Sequence, residues 1–193
     1  MRLLRAAFPA GLQTDVDAVL NVLPRSLSYE RLVGPPIRIE GEPIRLIGRL
    51  FCPELPDRQM RGLTERQQLI ASCLYTRHHD GHVRQRHLAG VRGDEPWLPH
   101  FVLQLISEYV IEIAEAALEQ IDAIPVARYQ AFAEENDEFM ALVRSRVVSY
   151  YDAYMRPSRF DSTPAYRFLT SLSLWEGPEA RRSIARDRRF SRR

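Results

Sequence analysis

From Thr64 to Trp175 the apolar residues recur every three or four positions, and the recurrence is broken mainly by glycine and proline. Side chains at that spacing share one helix face, so this stretch can bury its apolar residues only as amphipathic helices packed on one another. Residues 37 to 50 depart from the rule. Ile37 and Ile39, then Ile44, Leu46 and Leu50, alternate with Arg38, Glu40, Arg45 and Arg49, and the alternation stops between Glu40 and Pro43 around Gly41. Period two with a glycine break predicts a β-hairpin. An isolated hairpin is only marginally stable in water, so it must lie on the helical body. The pattern predicts a mainly α fold, a compact helical bundle of about five helices with a small N-terminal β-hairpin packed on it.

Four segments follow from the punctuation. Residues 1–35 form an arm with one short helix, in which Asp15 caps Val16, Val19, Leu20 and Leu23 before Pro24. Residues 36–56 hold the hairpin and a linker marked by Pro53 and Pro56, residues 57–176 the helical core, and residues 177–193 an arginine-rich, flexible tail. Within the core, Thr64 and Gln67 predict a capping box for a helix with Leu69, Ile70, Cys73 and Leu74 on its buried stripe. Gly81 is expected to end it in the left-handed region. A shorter helix over 82–89 turns Val83 and Leu88 inward. Pro99 opens one long helix that buries Val102 through Ile121 and carries Glu108, Glu112, Glu115 and Glu119 on its other face. A second, after Pro125, buries Phe132, Phe139, Leu142, Val143, Val147, Tyr150, Tyr151 and Tyr154 until Pro157, and a short last helix includes Tyr166, Phe168 and Leu169.

No run approaches the roughly 18 apolar residues of a membrane helix, and the apolar start of the chain is interrupted by Pro9 and Gly11 too early for a secretory signal. A cytoplasmic protein is expected. All 27 basic residues are arginine, a bias expected from a GC-rich bacterial genome. It excludes Schiff-base and P-loop lysine chemistry and favours bidentate pairing with carboxylate or phosphate. Cys52 and Cys73 lie in unlike contexts and are expected as buried free thiols.

Four of the five histidines fall within ten residues, in RHHDGHVRQRH. His79, Asp80 and His82 are of metal-ligand type. The adjacent His79 and Asp80 resemble the HD-domain phosphohydrolases, which implies a metal-dependent hydrolase, but the earlier histidine that such a site needs on another helix is absent. No HExxH, CxxC or nucleophile elbow occurs, so no catalytic residue and no cofactor is assigned. Two helices joined by a short turn over 64–90 also have the proportions of a helix-turn-helix. Residues 58–92 carry seven arginines and two acids, a net of +5 that phosphate would meet. Residues 104–140 carry nine acids and one arginine, a net of −8 that would repel it. As an ordinary corner, the turn needs no ligand: Asp80 caps the second helix, and Arg84 and Arg86 pair with the acidic helix.

The expectation is a non-enzymatic protein that binds another protein through segregated basic and acidic surfaces, formed by Arg77, His78, His79, His82, Arg84, Arg86 and His87 and by Glu108, Glu112, Glu115 and Glu119. Nucleic-acid binding is the alternative, metal-dependent hydrolysis the lesser one. The tyrosine-bearing helix also suits a homodimer.

Overall fold

The structure is a computed structural model that describes residues 2–31, 34–156 and 158–176. The arginine-rich segment 177–193 and Pro157 lie outside the described residues. The fold is mainly helical with a small β element near the start, as the periodicity predicts. The described residues hold ten α-helices, because the long predicted helices break.

The first helices, α1 (Arg2–Arg5) and α2 (Gln13–Val22), bury Leu4, Val16, Val19 and Leu20. Asp15 lies in the first turn of α2, three positions past Leu12, which occupies the cap. The predicted hairpin is real but shorter, comprising β2 (Ile37–Ile39) and β3 (Glu42–Ile44) in antiparallel register. Glu40 and Gly41 between them have φ of 52° and 84°, the left-handed pair of a two-residue hairpin turn. The Glu135 carboxylate accepts from both turn amides, at 3.0 and 2.6 Å. Asn136 extends the edge of β2, accepting from Arg38 N and donating to Arg38 O at 2.7 and 2.8 Å.

After Ile44 the alternation slips, since Leu46 and Ile47 are both buried. The chain therefore leaves the hairpin and forms β4 (Ile47–Phe51), which pairs antiparallel with β1 (Ser28–Arg31), a strand the alternation did not announce. Gly48 is needed there: a Cβ at this position would stand 2.9 Å from the Glu30 carbonyl oxygen.

The helical body continues with α3 (Asp57–Arg61), α4 (Glu65–Tyr75), α5 (Gly81–Leu88), α6 (Pro99–Ile106), α7 (Ile111–Glu119), α8 (Val126–Glu135), α9 (Asp137–Tyr150) and α10 (Pro164–Ser171). The Thr64–Gln67 capping box is present in full, and Pro99 stands at the first turn of α6. Gly81 departs from expectation, as it is the first residue of α5 and does not have positive φ.

The helix predicted from Pro99 to Ile121 breaks at Ser107, where the last turn of α6 tightens as Glu108 N bonds Leu105 O and the Ser107 hydroxyl bonds Gln104 O. The helix predicted from Pro125 breaks at Asn136, whose φ of −130° and ψ of 54° are not helical. Its end winds into a π-turn over Tyr151–Met155. Phe132, Phe139, Val143 and Val147 are buried as expected, whereas Tyr150 and Tyr151 are half-buried and Tyr154 is 63% exposed. Five-residue winding shifts the phase of the buried stripe, so the last tyrosine leaves the core.

Phe8, Trp97 and Phe101 form one centre of the core, with ring centroids 5.4 to 6.4 Å apart. Cys52 and Cys73 are buried and unpaired.

Candidate functional site

The histidine corner is built where α4 ends and β4 passes beside it. Leu50 N donates to Arg77 O and His79 N donates to Leu50 O, both at 2.8 Å, so the turn after α4 is stitched to the strand as a short parallel bridge. His78 is buried with both ring nitrogens engaged. Nε2 donates to Cys52 O at 2.7 Å and Nδ1 accepts from Asp80 N at 3.1 Å, a pattern that selects the neutral tautomer protonated on Nε2. Asp80 caps α5 by accepting from His82 N at 2.8 Å, as the sequence predicts.

The linker after β4 is held from the same side. Tyr75 accepts from Leu55 N at 2.8 Å through its hydroxyl, and His87 stacks on the Tyr75 ring with centroids 4.5 Å apart. His87 Nε2 lies 2.8 Å from Glu54, which also bonds Arg86. Burial lowers the His87 pKa more than Glu54 raises it, so the ring is neutral and donates at neutral pH. Burial raises the Glu54 carboxyl, but the bonds from Arg86 and His87 outweigh it and hold the group below its usual range. Arg86 was expected on the acidic helix; its partner is this linker glutamate.

Behind the corner lies a buried charge cluster. Glu108, at the end of α6, meets Arg49 from β4 at 2.7 Å, Arg77 from the turn at 2.9 Å and Arg84 from α5 at 3.0 Å. Arg77, Arg84 and Glu108 have side chains 7%, 3% and 8% exposed. Arg84 also donates to the carbonyls of His78 and His79, each at 2.9 Å, closing the open end of the α4 turn. Its Nε is near Glu108 Oε2 but out of line for a hydrogen bond, so that contact is one of charge alone. Burial pushes the Arg77 guanidinium down to about 10 against the opposing pull of Glu108, and it remains protonated at neutral pH. Two polar residues of α6, His100 and Gln104, are also buried; among the described residues His100 Nδ1 and both Gln104 amide atoms have no hydrogen-bond partner.

These positions correct the expected basic surface. Arg77, His78 and Arg84 are inside the molecule, and so is the carboxyl of Glu108. His79, His82 and Arg86 are exposed and His87 is half-buried. His79, Asp80 and His82 are not brought together as ligands, since the Asp80 carboxylate serves the α5 amide and the exposed Phe51 ring stacks on His79 with centroids 5.2 Å apart. Among the described residues no group of three or more His, Cys, Asp or Glu side chains is spaced to hold a metal ion.

A second surface is presented by α7, which packs against α5 of the corner. Glu112, Glu115 and Glu119 are exposed and make no ion pair among the described residues. Beside them stand Tyr109, 52% exposed, Tyr154, and the exposed Ile111. Tyr109 lies 6.0 and 5.8 Å, between ring centroids, from Tyr150 and Tyr154. A groove of about 680 Å³ opens next to this cluster, between Ile111, Glu115 and Glu119 on one wall and Met155, Pro164 and Arg167 on the other. Sequence periodicity missed the tyrosines as surface residues because it extended α9 without the π-turn. It missed Arg49 because an outward strand position reads as solvent-facing. One signal for the cluster was legible: His100, Gln104 and Glu108 recur at four-residue spacing in an otherwise apolar helix.

Among the described residues no helix is long and apolar enough to cross a membrane. Comparison with protein-family models, curated proteins and solved structures finds no match to the chain, so its function is argued from its own residues.

Proposed function

We propose that the protein is a non-enzymatic, cytoplasmic interaction protein, of the adaptor, assembly-factor or inhibitor type, and that its partner-facing surface is α7 with the tyrosine cluster beside it. One observation carries this reading: α7 exposes Glu112, Glu115 and Glu119, which make no ion pair among the described residues, near exposed Tyr109, Ile111 and Tyr154, and Ile111, Glu115 and Glu119 line a groove. Aromatic anchors flanked by charge give a docking surface both affinity and selectivity. Two unpaired, buried cysteines accord with a reducing compartment.

The basic side supports nucleic-acid binding less. Of its seven arginines, Arg77 and Arg84 are buried on Glu108, while Arg61, Arg66 and Arg86 face Asp57, Asp15 and Glu54. A phosphate backbone would have to compete with those carboxylates.

The test is affinity capture with the full chain at about 50 and 500 mM salt, a range over which exposed charge pairs are progressively screened. A stoichiometric protein partner is expected at low salt, and its recovery should drop when Glu112, Glu115 and Glu119 are replaced by arginine in a folded variant. Recovery indifferent to both changes contradicts the reading.

A further inference from the structure

The groove beside α7 has a candidate occupant within the same chain. Residues 177–193 carry seven arginines, at 181, 182, 186, 188, 189, 192 and 193, against Glu179 and Asp187, a net of +5, with Ile184 and Phe190 among them. We propose that this segment docks in cis on the acidic α7 groove, where it occupies the partner-facing surface until a partner displaces it. The inference rests on the reading of α7 as a docking surface and adds its regulation.

Three observations converge on it. The first is charge: Glu112, Glu115 and Glu119 make no ion pair among the described residues, and Arg167 is the one arginine among the described residues that line the groove. The second is where the described chain stops. Trp175 packs on Phe160 and Tyr166 with centroids 5.3 and 4.9 Å away, and the stretch between those two rings supplies Ser162, Thr163 and Pro164 to the groove wall. The last described residues are therefore anchored beside the groove wall. The third is reach, since an extended chain covers up to about 3.3 Å per residue. Arg181 and Arg182 can thus lie about 17 to 20 Å from Glu176, and Phe190 about 46 Å, enough to run along the nine residues of α7 (about 14 Å of helix). Guanidinium groups suit the task, because their planar forks pair with carboxylates and also stack on tyrosine rings. Ile184 and Phe190 offer apolar groups to Ile111, Leu118 and the tyrosine cluster.

The test is photo-cross-linking of the full chain with Phe190→p-benzoylphenylalanine. The expected cross-links are intramolecular, independent of protein concentration, and map to Ile111–Glu119 or to Met155. Their yield should fall at least about fivefold at 500 mM salt, as screening of exposed charge pairs requires, and likewise in Glu115→Arg with Glu119→Arg. Glu115→Gln with Glu119→Gln provides a milder variant if the reversal perturbs folding. Cross-links elsewhere on the chain, none above an unirradiated control, or only intermolecular ones that grow with concentration would overturn the proposal, the last assigning the groove to a second copy. If cross-linking fails while partner capture still depends on the α7 glutamates, self-docking alone is discarded. If capture is also indifferent to those glutamates, the docking surface falls with it.

Discussion

In the histidine corner three arginines converge on one carboxylate, whereas on α7 three carboxylates meet no cation among the described residues. Both features arise from one break in one predicted helix. On a straight helix Glu108, Glu112, Glu115 and Glu119 would share a face. The tightened turn at Ser107 detaches Glu108 from that row and leaves it inside with Arg77 and Arg84, while α7 carries the others outward. Identical residue types seven positions apart thus acquire opposite duties. Glu108 compensates buried cations that fix β4, the turn and α5 together, and Glu115 is left for something outside the described fold.

If this contrast is right, substitutions on the two sides must differ in kind. Glu108→Gln removes the carboxylate that Arg49, Arg77 and Arg84 share and strands buried guanidiniums; it should destabilise the fold by about 3 to 5 kcal/mol, the usual cost of breaking a buried pair. Denaturant unfolding measures this, and a loss under about 1 kcal/mol would mean that the arginines are well served by carbonyls and water.

His100 sharpens the same side through pH. Burial pushes its pKa from 6.5 down to about 3, and a contact with the Trp97 backbone offsets this only in part. The unfolded chain therefore takes up a proton that the folded chain refuses. Stability from this group is fully present above about pH 6.5 and is lost as pH falls toward 3, by about 2 kcal/mol at pH 5. His100→Gln should flatten that limb of a pH series of unfolding curves; an unchanged slope would assign the proton to another group.

Thr64→Ala tests whether the corner depends on how α4 is launched. Removing the capping hydroxyl should cost about 1 kcal/mol by thermal or chemical unfolding, and no loss would show that Gln67 or water replaces it. On the exposed side of α7, Glu112→Gln, Glu115→Gln and Glu119→Gln together should change stability by no more than about 0.5 kcal/mol. A larger destabilisation would place these side chains in the fold's own support and remove the contrast.

How much of this was legible differs by region for physical reasons. Local signals were readable: the Thr64–Gln67 box, Asp80 as a cap, Pro99 at a first turn and the buried stripe of Ile70, Cys73 and Leu74 all follow from hydrogen bonds or faces within a few residues. The strand β1 was not, because its pairing with β4 is a long-range choice made where Leu46 and Ile47 break the alternation. The helix breaks at Ser107 and Asn136 were hidden for a related reason. Asn136 is held out of helical geometry by β2, about a hundred residues earlier, and no window around it contains that partner. At the site, residue types were visible but their direction was not. Arg84 on a predicted charged surface and Arg84 on a buried carboxylate have the same sequence neighbourhood; only the position of Glu108 after its helix break distinguishes them.

The most direct measurement of the central claim is a side-by-side capture of the protein partner by two folded variants of the full chain. One changes the groove, Glu115→Arg with Glu119→Arg, and the other changes the exposed corner, His82→Ala with Arg86→Ala. At least about a tenfold loss of affinity, 1.4 kcal/mol, is expected for the groove variant and none for the corner variant. Loss confined to the corner variant would contradict that claim.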